Sequence, residues 1–274
     1  MIAQELFTEN NNLKSIADSK RNLREYFQKY GFKPEDFAQV SAPEQDSHSS
    51  GATETSEEEG QVGQGTGFLI GSKGHIITNY HVIEESTELI SVTFPDGKEY
   101  SAKVISKHIS NDLAILNLDK YDTKAHKSNL IIGDSTKAHI GEKVFTIGYP
   151  DISILGQQPK YSEGIIASIA GEKDDPTLFQ ISVPIQSGNS GGPLFNLRGE
   201  VIGVTSSGFG IIADEGGNLD VLQNVNYAVK SSLLKNLIQM LPKEAHPRVT
   251  SNLGNDHSAI IDSVKPNIVF ILVA

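Results

Sequence analysis

Apolar positions along the chain fall into three regimes. Over residues 1–40 they recur at helical spacing: Leu13, Ile16, Leu23, Phe27 and Tyr30 take a/d-type positions, with Lys20 interrupting the seam. Pro34 suits the first turn of a second short helix, "PEDFAQ". Roughly two and a half heptads are too few for a coiled coil, so this stripe is expected to pack on its own domain. Over residues 41–62 apolar positions thin out, and Ser, Thr, Glu and Gly dominate, the pattern of a disordered linker. From 63 to 229 the pattern becomes short β-branched runs. The predicted strands are "TGFLIG", "HIITN", "LISVTF", "KEYSAKVIS", "LAILNL", "KVFTIG", "EGIIASI", "LFQISV", "EVIGVTS" and "VNYAV". Turn signals separate them at "GSKG", "PDGK" and "NLRGE". A helix is predicted over 230–241, stopped by Pro242. The tail ends in "NIVFILVA", apolar and strand-like, expected to pack on the domain, with a partner-binding strand or a cut end as alternatives.

Many short strands without intervening helices predict an all-β sandwich or barrel rather than a parallel βαβ sheet. The length of 274 residues allows one large domain or a medium one with an appendage, which fits the partition into 1–40, 41–62, 63–241 and 242–274. No apolar run reaches the length of a membrane-spanning helix. The net charge of −11 argues against a nucleic-acid partner, which would call for a basic face. Much of that charge sits in the linker (Glu44, Asp46, Glu54, Glu57, Glu58 and Glu59), so the strand-rich region is only mildly acidic. The start "MIAQELFTEN" lacks the basic and apolar regions of a signal peptide, and there is no cysteine, so a cytoplasmic location is expected, with unconventional export left open.

Chemistry enters at "SVPIQSGNSGGPLF", residues 182–195, where one serine, Ser190, stands among three glycines. Taken alone, the motif reads equally well as a tight turn. A serine nucleophile needs a base, usually histidine, and the base needs an orienting carboxylate. Of eight histidines, His81 is distinct because it follows a strand in "HIITNYHVI". His75 and His108 are expected at the surface. The best carboxylate is Asp112 in "SNDLAILNL", directly before an apolar strand, although an aspartate there also serves as a strand-entry cap. Neither His108 with Asp112 nor His75 with His81 has a third ligand at suitable spacing, so no metal and no cofactor are expected.

The segments "TGFLIGSKGHIITNYHVI", "NDLAILNL", "GEKVFTIGYP", "EGIIASIAG", "SGNSGGPLFNLRGEVIGVTS" and "VNYAVKSSLLKNLI" resemble, in order, the trypsin-like serine proteases, nearest the HtrA/Deg branch. The resemblance covers about 65–241 and implies two perpendicular six-stranded β-barrels with the site in the cleft between them. It assigns Ser190 as nucleophile, His81 as general base and then acid, and Asp112 as its orienter. The backbone N–H groups of Gly188 and Ser190 become the oxyanion hole. In relatives that cut after Lys or Arg, an acid stands six positions before the nucleophile. Here that position is Pro184, beside Ile185, so a small or aliphatic residue is expected before the cut.

The resemblance also has gaps. HtrA proteins usually continue into PDZ domains, and residues 242–274 are too few for one, so control by a PDZ-bound peptide is not expected. The loop 171–180 is short, whereas 149–164 and 206–224 are long. The implied function is a serine endopeptidase acting on unfolded or extended protein segments. The alternatives are a latent or inactive binding or chaperone-like module on the same fold, and a protease domain within a larger signalling or effector protein. A homo-oligomer carries over weakly from the family, and the N-terminal helices are a candidate docking piece.

Overall fold

The computed structural model describes residues 63–84, 89–206, 211–213, 219–221, 225–243, 246–247 and 256–273. The expected N-terminal helices and the acidic linker lie outside these residues.

Two closed six-stranded barrels account for most of the described chain. The first runs β1 (Gly63–Ile70), β15 (Ile268–Val273), β3 (Ile90–Thr93), β4 (Glu99–His108), β5 (Leu113–Leu118) and β2 (His75–Thr78), returning to β1. The second runs β10 (Pro193–Asn196), β7 (Lys143–Gly148), β8 (Lys160–Ser168), β9 (Leu178–Ile181), β14 (Asn226–Lys230) and β11 (Glu200–Ser206), closed by pairing of β10 with β11. The two-residue β6 (Ile131–Ile132) adds to β11 in parallel. A separate pair, β12 (Ile211–Ala213) and β13 (Leu219–Val221), is antiparallel. Short helices are α1 (Tyr80–Ile83) and α2 (Ile152–Leu155); the longer ones are α3 (Ser231–Gln239) and α4 (His257–Val264).

The apolar runs are continuous rather than alternating because both faces of key strands are buried. In β5, Ala114, Leu116 and Leu118 fill the first barrel, while Leu113 and Ile115 join a second core between the barrels. In β1, Leu69 points inward and Phe68 and Ile70 join that same shared core. The shared core also takes Phe145 and Phe195 from the second barrel, and Ile260 and Val264 from α4. A smaller cluster around Phe179, Ile181 and Leu194 fills the second barrel.

The tail supplies the sixth strand of the first barrel. β15 lies between β1 and β3, antiparallel to both, with Gly63 opposite Val273 and Phe270 opposite Thr93. Val269, Ile271 and Val273 enter the barrel interior, and Ile268 faces the shared core. Ahead of it, Asp256 caps α4 by accepting from the Ser258 and Ala259 amides. The helix predicted over 230–241 spans Ser231–Gln239, so it ends before the stop signal at Pro242.

Candidate active site

His81 sits on α1, a single helical turn directly after β2. Its Nδ1 lies 2.7 Å from Asp112 Oδ2, and its backbone N–H donates to Asp112 Oδ1 at 2.9 Å. Asp112 therefore holds both the ring and the backbone of the same histidine. An Asp112 carboxylate accepting at Nδ1 selects the tautomer with its proton there, which leaves Nε2 as the basic nitrogen. Asp112 caps a 3₁₀ turn (Ile109–Asn111) in the left-handed region, with φ 49°, immediately before β5. Asn79 Nδ2 donates to its carbonyl at 2.8 Å, and the Ser206 hydroxyl approaches Oδ2 at 3.4 Å.

Ser190 is 3% exposed, on the loop that leads into β10. Its carbonyl accepts from the Thr66 amide at 2.9 Å, which ties the serine to β1 of the first barrel. Gly191, with φ 87°, lies where a Cβ would strike the Thr66 carbonyl and the Thr78 hydroxyl, and come within 3.0 Å of Asn79 N. The serine loop thus packs against the residue two positions before His81.

Three successive peptides of that loop are each held by a carbonyl or amide bond. The Ser187 carbonyl accepts from the Asp151 amide at 2.9 Å. The Gly188 carbonyl accepts from the Thr66 hydroxyl at 2.6 Å, and the Asn189 amide donates to the Gln186 carbonyl at 3.0 Å. The Asn189 carbonyl accepts from Thr205 Oγ1 at 2.9 Å and the Gly192 amide at 3.1 Å. In a trans peptide, N–H and C=O point in opposite directions. The Gly188 and Ser190 amides are therefore each turned away from the groups that grip the preceding carbonyls, and the Asn189 amide, which donates to the Gln186 carbonyl, is turned away from the Thr66 hydroxyl. Gly188 has φ 90°, and a Cβ there would strike the Tyr149 carbonyl, so the turn requires glycine.

Pro184 is exposed, and Ile185 is half-buried against the core of the second barrel. The loop 171–180 is anchored by Lys230, whose Nζ donates to the carbonyls of Ile169 and Pro176, each at 2.6 Å. The resemblance also implies that a substrate backbone pairs as an added strand along the segment after "GVTS"; residues 207–210 lie outside the described residues.

Of the remaining histidines, His108 is exposed, and its Nδ1 accepts from the Asn111 amide. His75 is a correction. It is 8% exposed rather than at the surface, because β2 is covered on both faces, and burial lowers its affinity for a proton. Sequence reasoning also missed Thr66, Asn79 and Ser206. Asn79 and Thr66 stand inside quoted motifs, but nothing local marks them. Ser206 ends β11 with no signal beyond its place before a long loop.

Residues 65–204, just over half of the chain, match the trypsin-like peptidase domain family. The chain belongs to that family. An uncharacterized protein of Sinorhizobium fredii is 36% identical over 170 residues, covering 62% of this chain and 26% of that protein. A protein of Chlamydia trachomatis named a probable periplasmic serine endoprotease, DegP-like, is 32% identical over 65% of this chain and 33% of its own length. Another so named, from Marinomonas, is 31% identical over 86% of this chain and 45% of its own. This trypsin-like chain spans between a quarter and a half of the length of the curated relatives it matches. Among its described residues, no helix is long and apolar enough to cross a membrane.

Proposed function

We propose that the chain is a serine endopeptidase working through an acyl-enzyme, with Ser190 as nucleophile, His81 as base and acid, and Asp112 as orienter. The observation that carries this reading is the two-point grip of Asp112 on His81 next to a serine loop whose peptides are held in fixed orientations. His81 Nε2 takes the Ser190 proton as Oγ bonds to the substrate carbonyl carbon. The oxyanion so formed is stabilised by the Gly188 and Ser190 amides, donors typically worth roughly 3–4 kcal/mol each. His81 then returns the proton to the leaving amine as the C–N bond breaks. Water repeats the sequence and releases the acid, regenerating the serine.

The absence of an acid at Pro184 and the apolar Ile185 favour a small or aliphatic residue before the cut. An extended protein segment is the fitting substrate class, since a strand-like backbone suits a cleft between sheets. The periplasmic names of the relatives favour an extracytoplasmic setting over the cytoplasmic one expected from sequence, and cell fractionation decides between them.

A fluorophosphonate probe is expected to label the wild-type chain and not Ser190→Ala. Ser190→Ala should also lose roughly 10³-fold or more of peptide hydrolysis. Labelling that persists in the alanine variant would remove Ser190 as the nucleophile, and peptide-library cleavage after Lys or Arg would overturn the specificity reading.

A further inference from the structure

Thr66 makes four polar contacts, all buried, and three of them reach other segments of the candidate site. Its amide donates to the Ser190 carbonyl at 2.9 Å. Its hydroxyl donates to the Gly188 carbonyl at 2.6 Å and accepts from the Tyr149 amide at 2.9 Å. Its own carbonyl accepts from the Thr78 hydroxyl at 2.8 Å, on the strand that leads to His81. The residue is fully buried, so water cannot replace these bonds.

A hydroxyl has one proton to give, and the Tyr149 N–H occupies a lone pair of this one, so the proton is directed at Gly188. That bond sets the peptide between the two amides of the proposed oxyanion hole. If the Gly188 carbonyl were released, the Gly188–Asn189 peptide would keep only the bond from its N–H to the Gln186 carbonyl, within the same turn, and would lose its tie to the first barrel. Gly188, with φ 90° and no Cβ, is the residue best able to rotate into another conformation. The second grip on the same turn comes from the neighbourhood of Tyr149, since the Asp151 amide holds the Ser187 carbonyl.

We propose that Thr66 is a positioning residue for acyl transfer: its hydroxyl, on a strand of the first barrel, holds the peptide between the Gly188 and Ser190 amides in the orientation that receives an oxyanion. This rests on the endopeptidase reading. It acts on the transition state, where charge develops on the substrate oxygen, and not on ground-state binding.

The test uses the full chain and three variants. Thr66→Val keeps the shape and removes the hydroxyl, and Thr66→Ser restores it. Ser231→Ala removes another fully buried hydroxyl, at the first residue of α3, which donates to the Gly133 carbonyl at 3.0 Å and accepts from the Ser135 amide. With a peptide substrate, Thr66→Val is expected to lower kcat about 10- to 100-fold with KM within about threefold. Thr66→Ser should recover kcat to within about threefold, and Ser231→Ala should lower the unfolding temperature while leaving kcat in place. A crystal structure of Thr66→Val should show the Gly188–Asn189 peptide turned from its wild-type orientation. Wild-type kcat in Thr66→Val, or an unchanged peptide in its crystal structure, would overturn the proposal. A parallel loss of kcat in Ser231→Ala would overturn it too, by making the effect one of general stability. Should the wild type fail to react at Ser190, the endopeptidase reading falls, and the peptide orientation in the Thr66→Val crystal still decides the positioning role.

Discussion

At the scale of single residues, His75 and His81 show how one side-chain type takes opposite parts one and seven residues past the same "GSKG" turn. His81 stands 39% exposed on a helical turn with a carboxylate at Nδ1. His75 is buried on β2, with Nδ1 lacking a partner among the described residues, so the neutral ring is favoured there. Its folded-state pKa lies below the ordinary 6.5. For a base with a depressed pKa, the unfolded chain binds the proton first. Stability is thus complete above about 6.5 and is lost as pH falls towards the folded value. The unfolding temperature of wild type should therefore fall between about pH 7.5 and about pH 5, and His75→Gln, which does not titrate, should flatten that fall. Equal slopes for both chains, read by circular dichroism, would remove His75 from the account. The pairing of His81 with Asp112 was legible in the sequence because each stands in a short motif at a strand edge, and Ser190 was singled out as a candidate by its own glycine-rich motif. Thr66 was not, because its contact with Gly188 spans 122 positions and a threonine in a strand carries no local mark.

Among the elements, the runs "LAILNL", "KVFTIG" and "EVIGVTS" coincide with β5, β7 and β11, since each is a full apolar run bounded by turn residues. The two residues of β6 were illegible, because such a strand exists only through its partner β11. The tail read as a strand, but pattern alone does not say which strands it pairs with. Its position has an energetic consequence. Ile271 is fully buried inside the first barrel, in a strand remote in sequence from both of its neighbours. Ile271→Ala should therefore destabilise the fold by about 2–5 kcal/mol, the range for deleting a large core side chain. Urea unfolding measures it, and a cost below about 0.5 kcal/mol would mean that β15 is not a constant member of the barrel.

For the whole molecule, both barrels and α4 contribute to one shared core, and hydrogen bonds from β1 cross to the serine loop of the second barrel. Neither barrel closes its outer face without the other, which couples the site to the integrity of both. The short β-branched runs pointed to an all-β sandwich or barrel, but not to a core shared between two barrels, because a run does not say what covers its outer side.

The antiparallel pairing of β1 with β15 sets Gly63 beside Val273, within reach of a tight hairpin. The order of elements along the chain is then separable from their order in space. A rearranged gene that places residues 256–273 ahead of residue 63, joined by a short Gly-rich turn, would encode the same barrel with α4 and β15 leading. Such a permutant should unfold in one transition with the far-ultraviolet spectrum of the parent and react with the same probe at Ser190. A soluble permutant with a different spectrum would show that this barrel needs its last strand to be delivered last, making the order of synthesis part of how it folds.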